Sequence, residues 1–146
     1  MLVDKIMPVV RKRLLCVAPD ATLLQAARLL DDGRDMVLVC DRAQHLAGVV
    51  TKTDIVRMTG RCAGAGCTAP ITGAMTTRVV TTTPGAFLHD VWQVMSERGL
   101  RNIPVIGEND TALGILTARD ALLTLLGEVR YEETLLRDYA MNLGYR

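Results

Sequence analysis

The sequence predicts an α+β fold built from two β-α-β-β-α units packed around a pseudo-twofold axis, with a helix added at the C-terminus. Two observations carry this. Asp32 to Arg57 aligns without a gap on Arg98 to Leu123, so one structural unit is made twice. Within each copy, short β-favouring runs alternate with segments of helical periodicity. The copies read as residues 1–60 and 74–126, joined by a linker at 61–73 and followed by a tail at 127–146.

Each element has a local reason. Leu23, Ala26, Ala27 and Leu30 recur at three- and four-residue spacings, which predicts an amphipathic helix over Thr22 to Leu30, ended by Gly33. Met36 to Cys40 and Leu46 to Thr51 are strands around the turn residues Asp41-Arg42-Ala43-Gln44, and Thr53 to Met58 returns to helix. The second copy repeats the order. Val79 to Thr82 is its first strand, Ala86 to Arg98 its helix, closed by Gly99. Strands at Asn102 to Ile106 and Leu113 to Leu116 and a helix at Ala118 to Leu126 follow. Gly60, Gly64, Gly66, Pro70 and Gly73 give the intervening segment linker chemistry. Beyond Gly127, Val129, Leu136, Ala140 and Leu143 share one helical face, which predicts a separate tail helix that braces the module or a subunit contact.

Of the 146 residues, 49% are hydrophobic but only 3% aromatic, so the core must consist of Leu, Val, Ile, Met and Ala. A net charge of +1 provides no general attraction to nucleic acid or to an anionic membrane. Arg11-Lys12-Arg13 reads as a solvated basic face. The opening segment lacks a signal-peptide pattern and no apolar run is long enough to span a bilayer, so a soluble cytoplasmic protein is expected, with reduced thiols at Cys16, Cys40, Cys62 and Cys67. Cys16 and Cys40 read as small apolar packing residues. No nucleophile elbow or dense acid cluster is present; His89 reads as a surface residue or capping partner, and Trp92 as core packing or a subunit contact. Neither catalysis nor a metal site is expected.

The matched polar residues are Thr51-Lys52-Thr53-Asp54 and Thr117-Ala118-Arg119-Asp120, each preceded by a glycine, Gly48 or Gly114, and two aliphatic residues. Taken singly, Thr-x-x-Asp is a capping box. Each one, however, stands where a strand turns into a helix, a place with free N–H groups and the positive end of a helix dipole. A carboxylate there can accept both ribose hydroxyls while the Thr hydroxyl and backbone N–H groups face phosphate. Lys52 and Arg119 can add positive charge.

With the Met7-Pro8 and Met75-Thr76 openings and the strand Ile103-Pro104-Val105, these duplicated elements resemble a pair of CBS domains (cystathionine β-synthase motifs) over nearly all of residues 1 to 126. The resemblance implies a Bateman module with two clefts for adenosine-containing ligands such as AMP, ADP, ATP or S-adenosylmethionine. Asp54 and Asp120 would hold ribose, and Thr51 and Thr117 ribose or phosphate. Backbone near Val37 and Ile103 would read the adenine edge. It also implies a homodimer that passes a conformational change to a regulated partner protein, with no required cofactor. The first copy departs from the pattern, with Leu38 at the position of Pro104 and Asp35 at that of Arg101. The alternatives are a redox or metal sensor working through Cys62 and Cys67, and an interaction module with vestigial sites.

Overall fold

The structure, a computed structural model, describes residues 1–31, 33–61 and 68–144, with side chains to Met141. Cys62 and Cys67 lie outside the described residues. A 3-10 turn at Val3–Ile6 leads into α1 (Met7–Lys12), followed by β1 (Cys16–Val17), α2 (Leu23–Leu29), β2 (Met36–Cys40), β3 (Leu46–Thr51) and α3 (Lys52–Arg61). The second copy has a 3-10 turn at Ile71–Gly73, then α4 (Leu88–Arg98), β4 (Asn102–Ile106), β5 (Ala112–Thr117) and α5 (Ala118–Gly144). The fold is α+β, as the pattern predicts.

The duplication holds at the level of single hydrogen-bonded pairs. β2 and β3 pair antiparallel from Met36 opposite Thr51 to Cys40 opposite Leu46, and β4 and β5 from Asn102 opposite Thr117 to Ile106 opposite Ala112. Both hairpins shift register at the corresponding step, Val39/Cys40 and Val105/Ile106. Helix ends also follow local chemistry. Thr22 caps α2 in a reciprocal box with Gln25, and Gly99 ends α4 with φ 65°, a left-handed conformation that glycine adopts without strain.

Two expectations are corrected. Val79 to Thr82 does not form a strand: its pairing is a single parallel bridge between Thr82 and Val105. In the first copy, the N–H of Leu38 donates to Leu15 at 2.8 Å, tying β1 to β2. The equivalent residue in the second copy is Pro104, which has no N–H, so that rung of the ladder cannot form. The tail is also not a separate helix. α5 runs unbroken for 27 residues through Gly127. A helical glycine costs only about 1 kcal/mol, and the packing of Ala121 and Leu125 in the second-copy core anchors the stretch before it.

The segments leading into the two copies exchange places. Leu2 bridges to Phe87, the N–H of Val3 donates to Ala86, and Val3, Ile6, Met7 and Val10 are buried among Leu88, Met95, Ile103, Val105 and Leu116 of the second copy. Reciprocally, Thr22 bridges to Pro70 and Val49 to Thr76, while Ile71 is buried with Ala26, Leu30, Val37, Val39 and Val50 of the first. Glycine is needed at both crossings. A Cβ on Gly114 would collide with the backbone carbonyl of Val10, and one on Gly48 would lie 2.5 Å from the Met75 side chain and 2.7 Å from the Thr76 carbonyl oxygen.

A third apolar cluster joins the halves. Met36, Leu38, Cys40 and Val49 of one hairpin meet Ala112 and Ile115 of the other. At its edge the N–H of Ala112 donates to Gln44 at 2.9 Å and His45 bridges to Thr111. This contact sets the β5–α5 corner across a cleft from residues 33–36 of the first copy. Among the described residues, no helix is long and apolar enough to cross a membrane.

Candidate ligand cleft between the copies

A cleft of about 710 Å³ opens between the copies. The corner of β5 and α5 contributes Ile115, Thr117, Ala118, Arg119 and Asp120; Arg101 and Asn102 come from the start of β4; Gly33 to Met36 come from the first copy. α1, carried across by the exchange, adds Val9 and Lys12, with Arg13 just beyond its end. The basic groups Lys12, Arg13, Arg34, Arg101 and Arg119 outnumber the acidic Asp35 and Asp120, so an anion is favoured. The N-terminus of α5 opens on the same space and adds its dipole.

The two Thr-x-x-Asp elements differ in what their carboxylates do. In the first, the N–H and hydroxyl of Thr51 both reach Asp54 Oδ2, at 2.9 and 3.0 Å, and the N–H of Asp54 donates to Thr51 Oγ1 at 3.3 Å. Arg57 flanks the other carboxylate oxygen at 3.4 Å. Asp54 is thereby committed to its own helix start, a complete capping box. In the second, only half of that box is present: the N–H of Asp120 donates to Thr117 Oγ1 at 3.0 Å. The Asp120 carboxylate turns instead to the cleft, where the Arg13 guanidinium grips both of its oxygens, Oδ1 at 3.1 Å.

The remaining expected site residues are distributed unevenly. Thr117, Arg119 and Asp120 share the cleft; Thr51, Lys52 and Asp54 do not line it. Lys52 approaches its rim through an ion pair with Asp35, Nζ to Oδ1 at 3.6 Å. Val37 and Ile103 are buried in the cores of their own copies and Pro104 is buried in β4, while their neighbours Met36 and Asn102 line the cleft. Asp35 and Arg101, equivalent in sequence, border this one cleft from opposite copies.

Arg11, Lys12 and Arg13 are exposed, as their run of charge suggests, but Lys12 and Arg13 also border the cleft. The signal that could have found them is Met7-Pro8, which marks a lead-in helix, but its destination on the other copy is a tertiary fact. Among the described residues no group of His, Cys, Asp and Glu side chains is placed to hold a metal ion.

Comparison with known proteins agrees with this architecture. The CBS domain family model matches twice, at residues 4–60 and 71–127. An uncharacterized 17.7 kDa protein from Acidianus ambivalens is 25% identical over 123 residues, an alignment covering 84% of this chain and 73% of the relative. Two solved structures share the fold. CBSX2 in complex with AMP superimposes with a TM-score of 0.75 at 22% identity, over 86% of this chain and 96% of that one. The CBS domain pair of protein MJ0100, in complex with 5-methylthioadenosine and S-adenosyl-L-methionine, gives 0.70 at 23%, over 88% and 97%. With one domain matched in each half, their repeated hairpins in the same register, the chain belongs to the CBS-domain family.

Proposed function

We propose that this protein is a regulatory module that binds an adenosine-containing ligand (AMP, ADP, ATP or S-adenosylmethionine) in the cleft at Asp120 and passes the change to a partner protein. The observation that carries this reading is the Asp120 carboxylate facing a cleft rich in Arg and Lys at the N-terminus of α5. Ribose hydroxyls would donate to Asp120, phosphate would face Arg101, Arg119 and the first N–H groups of α5, and Met36 and Ile115 would flank the base. The adenosine ligands held by two proteins of the same fold support the ligand class.

Arg13 must leave Asp120 for ribose to enter. The Arg13 side chain is 45% exposed, so solvent screening holds the pair to on the order of 1 kcal/mol. Each hydroxyl bond to a carboxylate contributes about 1.5–3 kcal/mol. Ribose wins that exchange, and the released guanidinium is then free to pair with phosphate. A signal further requires that the ligand favour one arrangement of the two copies over another.

Calorimetric titration of nucleotide-free protein with AMP, ADP, ATP, NAD and S-adenosylmethionine tests the reading. Saturable binding of at least one is expected; heats indistinguishable from dilution for all of them refute it.

The module acts as a homodimer in this reading, because α5 exposes Leu122, Leu126, Val129 and Leu136, residues that recur on one side of the helix. Light scattering should give twice the chain mass, and Leu136→Asp should return the monomer. A monomeric wild-type protein at micromolar concentration removes the dimer from the proposal.

A further inference from the structure

Cys16 on β1 and Cys40 on β2 bring their sulfur atoms to 3.5 Å, with the Cys40 thiol donating to Cys16. The strands run parallel with Cys16 opposite Leu38, and both cysteines face the cluster that joins the two copies. Their surroundings are asymmetric. Cys40 is buried and Cys16 partly exposed, and both border a recess of about 410 Å³ with Asp41, Arg42 and Gln44. The same hydrogen bond separates their acidities: it pulls the Cys16 pKa below the ordinary thiol value against the effect of burial. It pushes that of Cys40 up, aided by burial and by the charges of Cys16 and Asp41.

We propose that Cys16 and Cys40 form a peroxide-reactive dithiol that closes to an intrachain disulfide, a covalent modification site distinct from the ligand cleft. The geometry assigns a role to each sulfur. Cys16, the more exposed of the two residues at the recess and held as the better thiolate, attacks one oxygen of hydrogen peroxide. An S–O bond forms, the O–O bond breaks, and hydroxide leaves to become water. The Cys40 sulfur then attacks the Cys16 sulfenic acid: the S–S bond forms, the S–O bond breaks, and the hydroxyl leaves with the Cys40 proton as a second water. Two thiols are oxidised by two electrons and one peroxide is reduced to two waters. The sulfurs need to approach by about 1.5 Å to reach bonding distance. A thiol reductant reverses the step by exchange.

The test uses the full chain carrying Cys62→Ser and Cys67→Ser, so that Cys16 and Cys40 are the thiols that remain, with circular dichroism confirming the fold. After treatment with a few equivalents of hydrogen peroxide, free thiols should fall from two to none. Intact mass should drop by about 2 Da, and tryptic peptides 14–28 and 35–42 should appear joined, all reversed by dithiothreitol. In the same background Cys40→Ser should instead hold Cys16 as a sulfenic acid that dimedone traps. Two thiols surviving treatment, overoxidation of Cys16 while Cys40 stays free, or disulfides found only between chains would each overturn the proposal.

Discussion

Gly114→Ala is expected to lower the melting temperature by about 5–8 °C, read by calorimetry or circular dichroism. The new methyl group would be built into the Val10 carbonyl, which is backbone and cannot rotate away as a side-chain end can. Overpacking of this kind costs about 1–3 kcal/mol, and a collision with main chain belongs at the upper end. Restricting the unfolded chain returns less than about 1 kcal/mol. Gly48→Ala should lose less, because one of its neighbours is the flexible Met75 side chain. Gly107→Ala is the control: its nearest neighbour is a Leu113 methyl at 3.2 Å. A Gly114→Ala protein that melts with the wild type would show that α1 does not lie against β5 in solution.

The second large effect separates the two Thr-x-x-Asp elements. Asp120→Ala should weaken the adenosine ligand about 30-fold or more, since at least one charge-assisted bond of about 2 kcal/mol is lost. Stability should change little, because the carboxylate removed is paired only with a half-exposed Arg13. Asp54→Ala should do the reverse. Its carboxylate closes the capping box on Thr51, so about 1 kcal/mol of stability is lost while affinity at the Asp120 cleft stays within about threefold. Equal loss of affinity in both variants would mean that the two corners are functionally equivalent and that the capping of Asp54 gives way to ligand.

The repeat made much of this architecture legible. Once Gly48 is set on Gly114 and Asp54 on Asp120, the strand and helix boundaries of one copy predict those of the other, and both hairpins lie where the β-favouring runs place them. What was not legible was long-range. Nothing local in Met7 to Arg13 says that it packs on the second copy, so the cations at the cleft were missed with it. Pro104 carries the family resemblance in the sequence, while its missing N–H, which shortens the sheet beside it, matters only once the strand's neighbour is known. Gly127 marks the start of the tail in the sequence, but its cost of about 1 kcal/mol does not interrupt the helix. The single-copy reading of Thr-x-x-Asp as a cap describes the first element, and a carboxylate turned to the cleft describes the second. The matched spelling concealed that division of labour.

The unbroken α5 has a mechanical consequence. It starts one residue after Thr117, holds Asp120 in its first turn, and runs on for 27 residues. At 1.5 Å per residue that is a rod about 40 Å long, so a tilt of about 5° at its base swings the far end by about 3 Å. A displacement of that size is comparable to the diameter of a water molecule and large enough to uncouple packed side chains. A rearrangement at Asp120 that tilted this helix would therefore arrive amplified at Tyr139 and Met141.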